Sequence, residues 1–344
     1  MPDFDELYRK HNQEMEDFWS RRANAPKYQK TISVFGHSVI FDSNHEEVLE
    51  SATFAEEMYS IADFTDERTW RIHIAVPSHL TADPPPQRLI DLIRYTGADE
   101  LLSIDLLAWG KCFVDMRRGE SFAVLSPSLA ENPQQICQVL INTILTNLIT
   151  RHGYSMLHAS ALIKDGNILL LQAPHGTGKS TTALRLLLNS YKLLSDSMVY
   201  IGERGGTLWM GGFPVGRIKL RTDMLPLFPA LAAEAEEEPV RGETKHKVEL
   251  KRVDAAMAYP QMIQIRRVEY CLLERWDKSE SRIESLSEDE LWRAIMVNSL
   301  HYDTRELWKE NLQRIELMLR HAKLHRLRIG TSEDEIVRTV NSLW

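Results

Sequence analysis

The sequence predicts an α/β protein in two parts: an α+β module over residues 1–128, then a sheet flanked by helices over residues 129–344 that ends in a helical tail. Three observations carry this. Residues 28–125 hold short runs that alternate apolar and polar side chains and are punctuated by glycine and proline. From Ser155 onward, apolar runs of strand length alternate with helical stripes, and the run NILLLQA passes through a glycine-bearing turn straight into a helix. Past Ser287 the chain is dominated by helix starts and amphipathic periodicity.

The elements of the first module follow in order. Residues 1 to about 27 read as one amphipathic helix, with Phe4, Leu7, Met15 and Phe18 on one side. TISVFGHSVIFDS alternates around Gly36, which signals a hairpin, and RTWRIHIAVP is a further strand. DPPPQRLIDLIRYTG reads as a proline-rich turn entering a helix that stops at Gly97. GKCFVDMRRGESFAVLSP is two strands joined across Arg117–Gly119. This module shows no catalytic constellation. Asn132 and Pro133 then open a helix, with Asn132 at the cap and Pro133 where its missing N–H costs nothing. Ile136, Leu140, Ile141, Ile144, Leu145 and Leu148 form its apolar stripe, Gly153 ends it, and it bridges into the second module.

In the second module, SMLHASALI and NILLLQA are strands separated by a turn over Lys164–Asn167. YKLLSDSMVYIG is a strand after the helix, and TLWMGG and RIKLR continue the pattern. AEAEEEPVRGETKHKVELKR is highly charged and reads as a mobile, solvated segment. VEYCLLERW returns as a strand. Ser287–Glu290 and Ser332–Glu335 each have a capping-box start, and a longer amphipathic helix runs over about 304–323.

Composition excludes several classes. With 344 residues, 43% of them hydrophobic, the chain can bury a real core. A net charge of -8 argues against a general nucleic-acid surface. Cys112, Cys137 and Cys271 lie far apart without a CxxC, so a disulfide framework or zinc site is not expected and a reducing cytosol fits. The acidic, polar N-terminus matches neither a signal peptide nor a transit peptide. No apolar stretch approaches the roughly 20 residues that span a bilayer. The expectation is a cytoplasmic protein with no membrane and no nucleic-acid partner.

The chemistry concentrates in Ala173-Pro174-His175-Gly176-Thr177-Gly178-Lys179-Ser180, followed by Thr181. The common phosphate-binding pattern is G-x-x-x-x-G-K-[ST], and Ala173 stands here in place of its first glycine. Gly176 and Gly178 permit positive φ, so successive N–H groups can converge on one anion. The helix starting at Lys179 adds its positive end. In such a cradle Lys179 bridges the β- and γ-phosphates of ATP, Ser180 places its hydroxyl on Mg²⁺, and His175 sits at the rim. The competing interpretation is a glycine turn with a surface lysine; the buried strand before and the helix after favour the cradle. Asp196, closing YKLLSD, is the candidate second anchor for Mg²⁺, against the alternative of a turn aspartate. Arg217 and Arg221 either bind an anion or cover a strand, and Gly211, Gly212 and Gly216 suggest a close backbone approach, to substrate among other things.

The stretch SMLHASALIKDGNILLLQAPHGTGKSTTALRLL…YKLLSDSMVYI resembles the catalytic domain of HPr kinase/phosphorylase and its looser relatives, bacterial serine kinases with a P-loop. The likeness covers about residues 153–222 and fades beyond, and the N-terminal module does not resemble that of the family. The resemblance implies an HPr kinase-like fold with an ATP-dependent transfer of the γ-phosphate to a hydroxyl. It matches His158 to a histidine on the strand before the P-loop strand, and Asp196 to the first of an Asp pair, the general base. The second of that pair is Ser197 here, a departure that weighs against metal binding and against a reverse, phosphate-dependent reaction. An essential arginine of the family has Arg241 as its counterpart, with Lys245 and Lys247 as alternatives. The acceptor is expected to be a serine of a protein or precursor peptide, with a small molecule as the other option. HPr kinases assemble as hexamers, so a homo-oligomer is open to this chain, and the stripe Leu307, Ile315, Leu319 permits an interface without demanding one. Two further readings stay open: a nucleotide-binding regulator without transferase activity, and a scaffold with a relic P-loop.

Overall fold

The computed structural model describes residues 25–174, 176–240, 243–298 and 304–344. The helix expected over residues 1–27 lies, but for its last three residues, outside them. The chain divides into two units, Met1–Glu57 with Phe64–Arg151, and Met58–Asp63 with His152–Trp344. Both units are α/β, with mixed sheets and helices.

The first unit is built on seven strands: β1 (Tyr28–Val34), β2 (His37–Ser43), β3 (Thr69–Ala75), β4 (Arg94–Ala98), β5 (Leu101–Asp105), β6 (Gly110–Asp115) and β7 (Glu120–Leu125). They form one mixed sheet in the order β1-β2-β3-β7-β6-β5-β4. The β1–β2 hairpin turns at Phe35 and Gly36, both at positive φ, the two-residue turn whose twist matches that of paired strands. β3 runs parallel to β2 and β7, while the other neighbours are antiparallel.

The expected helix ending at Gly97 does not form. One 3-10 turn, Leu89–Asp91, follows the prolines, and the chain then extends as β4 with Gly97 opposite Leu102. A helix that short gains little by itself, and Tyr95 and Thr96 favour extended backbone when a partner strand is offered. The run opened by Asn132 and Pro133 is helical to Arg151, with its stripe from Ile136 to Leu148 fully buried. It is wound as a π-helix over Cys137–Ile141, and Asn132 occupies the cap without a side-chain bond. This run packs on the helix Glu50–Glu56 and so belongs with the first unit, although a boundary at residue 128 assigns it to the second.

The second unit contains thirteen strands among the described residues: β8 (Tyr154–His158), β9 (Ser160–Lys164), β10 (Asn167–Gln172), β11 (Lys192–Ser195), β12 (Met198–Arg204), β13 (Thr207–Phe213), β14 (Arg217–Arg221), β15 (Glu236–Val240), β16 (Glu243–Glu249), β17 (Ile263–Gln264), β18 (Val268–Arg275), β19 (Arg282–Ser285) and β20 (Ala322–Ile329). They form a six-stranded mixed sheet, β11-β9-β10-β18-β20-β19, a four-stranded sheet, β17-β13-β12-β8, and a three-stranded sheet, β14-β16-β15. The central strand β10 lies parallel to β18 and antiparallel to β9. It is buried on both faces. Leu169 and Leu171 face one core with the helix Lys179–Leu187, and Ile168 and Leu170 face another with β12, β13 and the helices Glu288–Asn298 and Arg305–Leu319. That two-sided burial is why its sequence is continuously apolar instead of alternating.

SMLHASALI and YKLLSDSMVYIG, each expected as one strand, are each two. β8 pairs with β12 in the four-stranded sheet, whereas β9 pairs with β11 in the six-stranded one. The two segments run side by side and fork at Ala159 and at Asp196–Ser197. A register shift between Leu193 and Ser195 supplies the extra residue that bends one branch away. At this fork β13 passes so close to β11 that a Cβ on Gly212 would stand 2.2 Å from the Leu194 carbonyl oxygen. The close approach anticipated for the glycines near 211–216 is therefore, at Gly212, to the chain's own backbone.

The charged segment expected to be mobile forms β15 and β16. Alternation sets Glu236 and Glu238 against Lys247 and Lys219 at 3.0 and 2.9 Å, while Val248 and His246 turn inward. β20 was hidden in the sequence because Arg326 and Arg328 interrupt its apolar pattern; both are paired with Glu274 and Glu284. Ser287 and Glu290 make the capping box reciprocally, at 3.4 and 3.3 Å, whereas Ser332 caps without a side-chain bond. The tail helix runs Arg305–Leu319, with Ile315 in the unit's own core.

Gly212→Ala forces the fork apart. We expect a loss of about 1–3 kcal/mol for this overpacking, read as a lower denaturant midpoint for the second unit's transition. Unchanged stability would contradict the backbone contact.

Candidate functional site

The loop between β10 and the helix Lys179–Leu187 is built as its sequence requires. Gly176 and Gly178 have φ of 78° and 108°, backbone that non-glycine residues rarely adopt, and a Cβ at either would meet nothing within 4 Å. The loop therefore keeps its glycines for conformation and for close access, not to avoid a clash inside the fold. Pro174 starts the turn, its carbonyl accepting from the Thr177 N–H at 3.3 Å. Gly178 occupies the cap of the helix, with Lys179, Ser180 and Thr181 in its first turn, half-buried. No side chain caps this helix end. Its first N–H groups point out of the terminus with the positive end of the helix dipole. His175 lies outside the described residues, and so does Arg241.

The fork delivers the acid to this loop. Asp196 sits where β11 and β12 part, 8% exposed. Its Oδ1 accepts from Ser160 Oγ at 2.5 Å, across the same fork. The Ser180 hydroxyl and the Lys219 backbone N–H also act on the carboxylate, favouring its charged form. Ser195 fixes the bend from beneath: its Oγ donates to the Phe213 carbonyl at 2.8 Å and accepts from the Ser197 and Met198 N–H groups at 3.1 and 3.3 Å. Lys179 Nζ donates to the Asp196 backbone carbonyl at 3.1 Å and lies 3.4 Å from His158 Nε2 at the end of β8. Four residues expected from the sequence, His158, Lys179, Ser180 and Asp196, thus meet at one point, though they come from three separate stretches of chain.

Burial works against charge on both members of the central pair. It pushes the Asp196 carboxyl above the usual carboxylate range, opposed by the Lys179 ammonium, the Ser160 and Ser180 hydroxyls and the Lys219 N–H. It draws the Lys179 ammonium below its usual range, opposed by Asp196 and aided by the like charge of Lys245. The result is a carboxylate that takes up a proton more readily than one in water. For stability the sign is unusual for an aspartate. With its folded pKa raised, Asp196 costs stability as pH rises from the ordinary carboxylate value through the folded one.

The other candidates separate. Arg217 is held by Glu249 at 2.6 Å and Arg221 by Asp223 at 3.1 Å, so both serve the three-stranded sheet. Lys247 pairs with Glu236 at 3.0 Å, while Lys245 acts electrostatically on Lys179. Two site residues escaped the sequence. Ser160 is a small hydroxyl on an apolar strand, with nothing local to mark it; only the pairing of β9 with β11 brings it to Asp196. Arg275 donates from Nε to the Thr177 carbonyl at 3.0 Å. Its position at the end of β18 was the available signal, since ligands of parallel sheets bind beyond the carboxyl ends of strands. Among the described residues, no group of three or more His, Cys, Asp or Glu is arranged to hold a metal ion alone. No described helix is long and apolar enough to cross a membrane.

No family model matches the chain, and no curated protein matches it. Among solved structures it is similar to the Hpr(Ser) kinase/phosphatase from Coxiella burnetii, at 12% identity and a TM-score of 0.30, over 55% of this chain and 95% of that one.

Lys179→Met removes the strongest influence holding the Asp196 carboxyl down. That carboxyl should then titrate at higher pH than in the unaltered chain, followed through its ¹³C shift. A fall in its titration midpoint, or none at all, would show that the two groups are not coupled as described.

Proposed function

We propose that the second unit is an ATP-dependent kinase that transfers the γ-phosphate to a hydroxyl, most simply a serine of a protein or precursor peptide. The observation that carries this is the meeting of the loop lysine, the first-turn hydroxyl and a buried carboxylate beside the open end of a helix. Phosphoryl transfer asks chiefly for positioning and for neutralisation of charge, and the residues here suit those tasks. The amides from Gly176 to Ser180 and the Lys179 ammonium bind the triphosphate. Ser180 and Asp196 present adjacent oxygen donors of the kind Mg²⁺ prefers, and would hold it against the phosphates, where it neutralises charge. The acceptor oxygen attacks the γ-phosphorus, the bond to the bridging oxygen of ADP breaks, and the acceptor proton passes to Asp196. Burial supports that last step by raising the basicity of the carboxylate. His158, beside Lys179, tunes the charge of the site. The resemblance over residues 153–222 agrees with this assignment. The first unit is the natural candidate for recognising the acceptor.

The full chain should add phosphate to a serine peptide in the presence of Mg·ATP, read by mass spectrometry. Asp196→Asn should reduce transfer by at least about 100-fold, the size of a general-base contribution, while keeping part of the rise in thermal stability that Mg·ATP confers, because the loop amides, Lys179 and Ser180 still hold the phosphates. Lys179→Ala should lose both. Stabilisation by Mg·ATP with no acceptor ever phosphorylated would instead indicate a nucleotide-binding regulator. No stabilisation at all would indicate a scaffold.

A further inference from the structure

The loop has a second cation that the assignment above leaves without a task. Arg275 is the last residue of β18, which lies parallel to β10 with Leu272 opposite Gln172. β18 therefore emerges beside the loop that follows β10. There the Arg275 Nε donates to the carbonyl of Thr177, the residue between the two glycines of positive φ. That is a contact with a neutral acceptor, so the full positive charge of the guanidinium remains. Among the described residues no carboxylate pairs with Arg275. The adjacent Glu274 is taken by Arg326 at 3.3 Å and Arg328 at 2.8 Å, which lie on β20. The side chain is exposed, although it is anchored at Nε. A guanidinium carries five N–H donors in a rigid fork that fits phosphate oxygens, and this one uses a single donor on the protein.

An exposed cation, fixed by one atom to a glycine loop and left unneutralised beside a helix N-terminus, is a half-built anion contact. We propose that Arg275 is a nucleotide-binding residue: its terminal nitrogens grip the outer phosphates of the triphosphate, while its Nε holds the Thr177 carbonyl turned away from them. This rests on the kinase reading of the same loop. It adds that the loop is clamped from the neighbouring strand, and that selection for a triphosphate over a monophosphate comes in part from β18.

The test is equilibrium binding of Mg·ATP, Mg·ADP and AMP to the full chain and to Arg275→Gln and Arg275→Lys, by calorimetry at two salt concentrations. The unaltered chain should bind in the order ATP, ADP, AMP. Arg275→Gln should weaken Mg·ATP at least about tenfold, the loss of one charge-assisted hydrogen bond, weaken Mg·ADP less and leave AMP nearly unchanged. Arg275→Lys should recover part of the ATP affinity. A brace acting only on loop shape would weaken all three nucleotides alike, and that pattern overturns the proposal, as does an Arg275→Gln chain that binds Mg·ATP like the original. If the unaltered chain binds no nucleotide, the kinase reading fails and this inference falls with it. If it binds and Lys179→Ala abolishes binding while Arg275→Gln does not weaken it, only this inference fails.

Discussion

The second unit depends on a fork. Two antiparallel segments, Tyr154–Lys164 and Lys192–Arg204, run together and then part, one pair of strands entering the six-stranded sheet and the other the four-stranded sheet. A backbone that leaves one sheet for another exposes polar groups with no ladder partner, and these must be satisfied inside a dry core. The Ser195 hydroxyl meets that need for the Phe213 carbonyl and the Ser197 and Met198 N–H groups, while the Ser160 and Asp196 side chains bond each other across the gap. The fork thus places a buried carboxylate, its pKa raised by burial, beside the loop after β10. Lys179 completes it by donating to the Asp196 carbonyl, which ties the helix to the fork.

Around that point, parallel pairing does the positioning. Because β10 and β18 run the same way, their carboxyl ends open on one side, and the loop, the helix terminus and Arg275 gather there. Beneath the loop, Gln172 is fully buried. It accepts from the Tyr270 hydroxyl of β18 and donates to the Ala294 carbonyl of the helix Glu288–Asn298 at 3.2 Å. The strand end that carries the loop is therefore fixed on two sides by polar contacts in an apolar surrounding, where such bonds are costly to break. A rigid strand end under a glycine loop lets the loop adapt without losing its register on the lysine.

The parts of this arrangement legible in the sequence are those set by local chemistry. The glycines, Lys179 and Ser180 are adjacent in the chain, and their spacing alone implies the turn and helix start. The Phe35–Gly36 and Arg117–Gly119 turns were legible for the same reason. Asp196 could be named by its place at the end of a strand and His158 through the family resemblance, but not their meeting, which depends on pairings across dozens of residues. The fork itself was invisible: SMLHASALI and YKLLSDSMVYIG are as apolar as single buried strands, and no glycine or proline marks their division. Charge misled in the other direction. β15, β16 and β20 carry so many ion-paired side chains that they lack the apolar period of a strand, as in the pairs Lys247–Glu236 and Arg328–Glu284 between neighbouring strands. The helix expected before Gly97 failed because local propensity was overruled by an available strand, β5.

The most direct measurement is a structure of the full chain with Mg²⁺ and a non-hydrolysable ATP analogue. The expected complex has the triphosphate wrapped by the amides of Gly176 to Ser180, Lys179 Nζ transferred from the Asp196 carbonyl to the phosphates, and the Asp196 carboxylate turned toward the terminal phosphorus. A loop left empty at saturating analogue, or a carboxylate facing away from that phosphorus, would contradict it.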